Sequence, residues 1–177
     1  MYEREESKSD MKLVVFRLAD EEFGASINQV HEIIKLVEIT RIPRAPKFIE
    51  GVINLRGRIV PIVDLRKRFG FPISEDLEEQ RIMEVDVEGQ VLGMVVDEVT
   101  EVISITADTI EPAPPMIADI AGEYMSGIAK VNDRILIMLN FDKILSEQEN
   151  KQLEEKNNFD ISQVDMQSKT NQKEEAK

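Results

Sequence analysis

Apolar residues along this chain come in short runs rich in Val and Ile, broken by turn-forming residues every eight to twelve positions. That rhythm predicts strands of a barrel or sandwich, where a helix would repeat its apolar positions every three to four residues. Residues 14–18 and 22–27 flank Ala19, Asp20 and Glu21, and residues 83–87 and 91–96 flank Glu88, Gly89 and Gln90. In the same way, residues 52–55 and 59–63 flank Arg56, Gly57 and Arg58, and residues 128–131 and 135–139 flank Asn132, Asp133 and Arg134. Each set predicts a β-hairpin. Pro61 has no amide hydrogen to give a ladder, which predicts an edge position or a bulge for its strand. One helix is predicted after the last strand, with Asn140 as N-cap and Phe141, Ile144, Leu145 and Gln148 at helical spacing.

The hydrophobic pattern repeats within the chain. A shift of 69 positions lays residues 18–34 over 87–103 and matches Gly24 with Gly93, Val30 with Val99 and Glu32 with Glu101. A shift of 76 lays residues 51–65 over 127–141, with Gly51/Gly127, Arg58/Arg134 and Ile59/Ile135 identical. The chain therefore reads as a tandem duplication of a small β unit, with a boundary near residue 80. Two copies are too few for a solenoid, so two small barrels packed together are expected, with the ownership of individual strands left open between them. In both copies a short helical turn is expected after the first hairpin.

Both ends differ from this middle. Residues 1–10 carry Glu3, Glu5, Glu6 and Asp10 and read as a flexible arm. Residues 157–177 hold few apolar side chains among Glu, Gln, Lys and Asn and read as a disordered tail, since they offer too little surface to offset chain ordering. The expected folded unit is 11–156.

Charge and composition then remove most chemistries. The 177 residues include 35 acids against 22 Lys and Arg, a formal charge of −13, which opposes sequence-independent binding to nucleic acid. With 0 Cys and 1 His there is no thiolate site, no disulfide and no imidazole cluster, and no cofactor is called for. No GxGxxG or GxxxxGK pattern supports a phosphate loop, and nothing singles out a catalytic carboxylate pair. His31, whose counterpart is Thr100, reads as incidental. No apolar run is long enough to span a bilayer and no secretory h-region opens the chain, which predicts a cytoplasmic protein without membrane insertion. Against the acidic background, residues 41–68 hold Arg41, Arg44, Lys47, Arg56, Arg58, Arg66, Lys67 and Arg68 with only Glu50 and Asp64, eight cations to two acids and a local charge of +6. Such an island reads as a solvated rim that also orients partners.

Inside this island the sequence NLRG at 54–57, followed by IVPIVDL at 59–65, resembles the CheW family of chemotaxis coupling proteins. Collinear matches continue at 16–24, 30–33, 93–97 and 112–114, so the resemblance covers about residues 11–145. It implies a mainly β fold of two packed five-stranded SH3-like β-barrels, with short helical turns and a C-terminal helix. It also implies a non-enzymatic adaptor that binds the cytoplasmic tips of chemoreceptors and the regulatory domain of the histidine kinase CheA, recruited to membrane-associated receptor arrays. A β-barrel peptide-binding or regulatory module outside chemotaxis is the alternative.

By the same resemblance, Val30, Glu32 and Arg56 stand at positions associated with receptor coupling. Glu32, in the helical turn, and Arg56, in the hairpin of the same repeat, are expected to pair beside an apolar groove lined by Ile27 and Val30. The second repeat sets Glu101 opposite Asn132, without a basic partner, which assigns receptor contact to the first repeat. The proline-rich loop at 111–116 is expected to contact the kinase through Glu111, Pro112, Pro114 and Met116. Family members often carry a basic residue and an aromatic where this chain has Glu111 and Met116.

Overall fold

The computed structural model describes residues 10–72, 78–116 and 124–154. The expected tail at 157–177 lies outside these residues, as does the arm except for Asp10. All four predicted hairpins form: β1 (Asp10–Leu18) with β2 (Glu21–Ser26), β4 (Ile49–Leu55) with β5 (Arg58–Asp64), β6 (Arg81–Val87) with β7 (Gln90–Val96), and β10 (Met125–Val131) with β11 (Arg134–Leu139). Each pair is antiparallel. Three further strands complete the fold, β3 (Val30–Lys35), β8 (Glu98–Thr106) and the short β9 (Ile110–Glu111).

The hairpins do not stay with their own repeat. One sheet has the order β8-β1-β2-β11-β10-β9 and the other β3-β6-β7-β5-β4. Each sheet thus takes its leading hairpin from one repeat and its remaining strands from the other. The two orders correspond strand for strand, because an isolated bridge from Thr40 to Val52 occupies in the second sheet the place that β9 holds in the first. Both sheets also join their repeats by one short parallel pairing, Ile137 with Phe23 and Ile62 with Gly93.

The expectation of two closed five-stranded barrels is corrected here. The sheets have six and five strands, and the first and last strand of neither are hydrogen-bonded to one another. A barrel closes only when strand stagger brings those two edges into ladder register, a property of the whole sheet that counting apolar runs does not reveal.

Burial explains why several strands read as continuous apolar runs. Along β1, Val14, Phe16 and Leu18 face a large core shared by the two sheets, while Leu13 and Val15 face a smaller core inside their own sheet. Along β6, Met83, Val85 and Val87 join the shared core and Ile82 enters the small core of the second sheet. A strand covered on both faces loses its polar alternation.

Three local expectations change. Pro61 lies on an inner strand, and the register shift of its hairpin falls at Ile49/Gly51 instead. The amide and carbonyl of Val52, its cross-strand partner, are both bonded to Thr40, so the Pro61 nitrogen turns toward β7, whose pairing begins one residue later at Ile62. The missing N–H therefore costs no ladder bond. The single predicted helix is split. Asn140 caps only a 3-10 turn, Phe141–Lys143, and residues 147–154 form a separate helix. That helix starts with a capping box: the Glu149 amide donates to Ser146 Oγ (3.2 Å) and the Ser146 amide to Glu149 Oε1 (2.9 Å). Finally, the helical turn of the first repeat ends at Gln29, which places His31 and Glu32 on strand β3.

Candidate functional site

The β4–β5 turn is a two-residue loop in which Arg56 and Gly57 both have positive φ, 53° and 81°. This is the backbone of a type I′ hairpin turn, whose twist matches that of its strands. Gly57 adopts it freely, whereas Arg56 does so under strain, relieved in part by the Gly57 amide donating to Asn54 Oδ1 (2.9 Å). The NLRG motif is thus a turn-forming device: Asn closes the loop, Gly permits it and Arg is held out at its apex, 70% exposed.

From that apex, Arg56 Nη2 donates to Glu32 Oε1 at 2.6 Å. Glu32 lies on β3, at the opposite end of the sheet order from β4, so the pair spans the gap between the two edges of the curled sheet. Behind it, Arg58 reaches Glu84 (2.8 Å), whose side chain is only 3% exposed. Ile27 and Val30, expected to line a groove, are half-buried and pack against the shared core. Ile33 and Ile59, neighbours in sequence of Glu32 and Arg58, are exposed instead, and sequence reasoning did not single them out.

The second repeat carries a related arrangement. Arg134 donates to Glu101 (2.6 Å) and to Glu22 (2.7 Å). Glu101 therefore has a basic partner after all, contrary to the asymmetry inferred from Asn132. Arg134 is the repeat counterpart of Arg58, but Arg58 pairs with Glu84 and not with Glu32, so the repeat did not signal this partner. The Arg134 guanidinium pulls the Glu22 carboxyl below its usual range. Val102 and Ile135, the repeat counterparts of Ile33 and Ile59, are also exposed.

Glu111, the last residue of β9, and Pro112 and Pro114 in the loop that follows lie at the surface, with Met116 76% exposed. Lys130 reaches Glu111 at 3.4 Å, with both side chains mostly in solvent. The structure does not bring this loop together with the Arg56–Glu32 pair.

Most of the basic island is spent within the molecule. Besides Arg56 and Arg58, Lys67 pairs with Glu50, Arg66 with Asp97, and Arg68 with Glu149. Arg66 and Arg68 belong to a one-turn helix α1 (Leu65–Arg68), capped by the Asp64 carboxylate. Burial raises the Asp64 carboxyl above its usual range despite the two capping amides. Arg68 also lies against the Tyr124 ring (5.4 Å) and donates to the Ile144 carbonyl. These contacts bind α1 to β7–β8 and to the C-terminal helix, a structural use that the island's composition did not announce.

Among the described residues no group of three or more acidic or His side chains is placed to hold a metal ion, and no helix is long and apolar enough to cross a membrane.

Comparison with known proteins adds identity to this geometry. A model of the CheW-like domain matches residues 12–149. The chain is 41% identical to the chemotaxis protein CheW of Klebsiella aerogenes over 139 residues, covering 78% of this chain and 83% of that one. It is 34% identical to CheW of Bacillus subtilis, covering 81% and 92%. It is similar in structure to the scaffolding protein TtCheW of Thermoanaerobacter tengcongensis, with TM-score 0.72, 45% identity, and 77% and 92% of the two chains covered. With the duplicated β unit, the strained NLRG turn and a family match over residues 12–149, the chain belongs to the CheW family.

Proposed function

We propose that this protein is a non-enzymatic scaffold that couples the cytoplasmic tips of chemoreceptors to the histidine kinase CheA. The observation that carries the reading is the family match over residues 12–149, which takes in both sheets and both candidate surfaces.

The receptor-facing surface is the Arg56–Glu32 pair together with Ile27 and Val30. Arg56 is kept at positive φ where Gly or Asn would relax the turn, a cost that a contact role explains. The loop carrying Glu111, Pro112, Pro114 and Met116 is the kinase-facing candidate, stiffened by its prolines. Glu111 and Met116 present an acid and a flexible thioether there, so the partner surface is expected to be complementary to those groups.

The test is reconstitution of a receptor signalling fragment, this protein and CheA, with binding followed by calorimetry in the presence of a chelator. Binding to both partners and receptor-dependent kinase activation without added metal are the expected results. Failure to bind either partner, or binding restored only by metal, would overturn the reading.

A further inference from the structure

Five of the eight cations in the basic island are neutralised by carboxylates of the same chain, Arg56, Arg58, Arg66, Lys67 and Arg68. The other three, Arg41, Arg44 and Lys47, are spaced three residues apart in the segment joining β3 to β4, and all three are exposed. Arg44 is engaged within the chain. Among the described residues no carboxylate pairs with Arg41 or Lys47. Lys12, Arg17, Lys35, Arg81, Lys143 and Lys151 also lack a carboxylate partner among the described residues, so what sets Arg41 and Lys47 apart is their place on either side of Arg44 in one short segment.

The segment is also held in shape. Thr40 exchanges two backbone hydrogen bonds of 2.9 Å with Val52, the Ala45 amide donates to the Ile42 carbonyl and the Ile49 amide to the Pro46 carbonyl. Arg44 sits at φ 61°, and Pro43 and Pro46 limit the backbone further. The cations are therefore displayed on a preformed strap, and a ligand need not order the backbone in order to bind.

We propose that residues 41–47 form a docking strap for an acidic segment of a partner protein, its carboxylates engaged by Arg41 and Lys47. Charge complementarity names the chemistry, and the surroundings decide the kind of ligand. Screening confines the strap's field to about 8 Å at physiological ionic strength. A short acidic segment fits within that range, whereas a duplex or an anionic membrane extends over the rest of a −13 surface and is repelled by it. The strap is a surface separate from the Arg56–Glu32 pair, and its assignment does not rest on the adaptor reading.

The experiment titrates the isotope-labelled full chain with a synthetic glutamate-rich peptide, with a lysine-rich and an uncharged peptide of equal length as controls. Amide shifts confined to the strap, present at low salt and lost at high salt, are expected for the glutamate peptide alone. The double variant Arg41→Gln, Lys47→Gln should melt like the parent and bind this peptide roughly tenfold more weakly. Shifts centred elsewhere, equal binding by the uncharged peptide, no response, or unchanged affinity in the double variant would each overturn the proposal. So would tighter binding of a DNA duplex or of phosphatidylserine vesicles that the same double variant abolishes.

Discussion

Arg56 and Arg58 bracket one glycine, yet their partners differ: the Glu32 side chain keeps 27% of its surface in solvent and that of Glu84 keeps 3%. The exposed pair is expected to contribute little to folding, about 0–1 kcal/mol. Removing Arg58 leaves a buried carboxylate without its cation, a loss of about 1–3 kcal/mol or somewhat more. Thermal denaturation should therefore place Arg56→Ala close to the parent and Arg58→Ala clearly below it. If both melt alike, the burial contrast has no energetic consequence. Arg56→Glu is expected to keep stability within about 0.5 kcal/mol while abolishing receptor-dependent kinase activation, because a carboxylate then faces Glu32 and the partner. Normal activation by a normally folded Arg56→Glu protein would move the receptor site elsewhere. Glu32→Arg in the same molecule should restore the pair if the two residues act together.

Two glycines matched by the internal repeat show how sequence identity becomes an element-scale constraint. A Cβ on Gly51 would lie 2.2 Å from the Thr40 carbonyl oxygen, and one on Gly127 2.8 Å from that of Glu111. In each sheet the outermost segment crosses directly over this glycine, so the duplication preserved it for close approach. Gly127→Ala is expected to cost about 1–3 kcal/mol by forcing the β9–β10 contact apart. A melting temperature equal to that of the parent would show that β9 yields freely. The α1 clasp supplies a pH dependence. Burial pushes the Glu149 carboxyl upward, but the Arg68 guanidinium and the Ser146 amide outweigh it and hold the group below its ordinary value. A carboxyl depressed in the folded state contributes stability that is complete above its unfolded pKa, near 4.5, and is lost as pH falls through the lower folded value. Asp64, raised by burial, acts in the opposite sense and is relieved by acid. Glu149→Gln should therefore lower the melting temperature at neutral pH, and the gap from the parent should close on acidification below about pH 4. A gap that does not change with pH would show that loss of the carboxylate charge is not its cause.

At the scale of the whole molecule, the exchanged hairpins make each repeat depend on the other. β1 and β2 complete the sheet built by β8 to β11, and β6 and β7 complete the one built by β3 to β5. Neither half carries a finished sheet or a finished core. Fragments divided near residue 78 are expected to be unfolded alone and to recover strand circular dichroism on mixing. A cooperative melt by the first fragment alone would contradict this interdependence.

Hairpin positions, the duplication and the NLRG turn were legible in the sequence, because they rest on local patterns: apolar runs and glycines at fixed spacing. The Arg56–Glu32 pair was legible too, since the family resemblance singled out both residues and their opposite charges suggested that they meet. Closure of the sheets, the exchange of hairpins, the seat of Glu32 on a strand and the rescue of Glu101 by Arg134 were decided only by tertiary structure. Each depends on which strand edges meet across the chain, and an apolar run has the same local pattern whether its neighbour comes from its own repeat or from the other. The basic island makes the same point in charge. Its eight cations are plain in the sequence, but long-range packing alone selected the five that are neutralised and left Arg41 and Lys47 unpaired at the surface, because a carboxylate neutralises a cation only when the fold places it within a few ångströms.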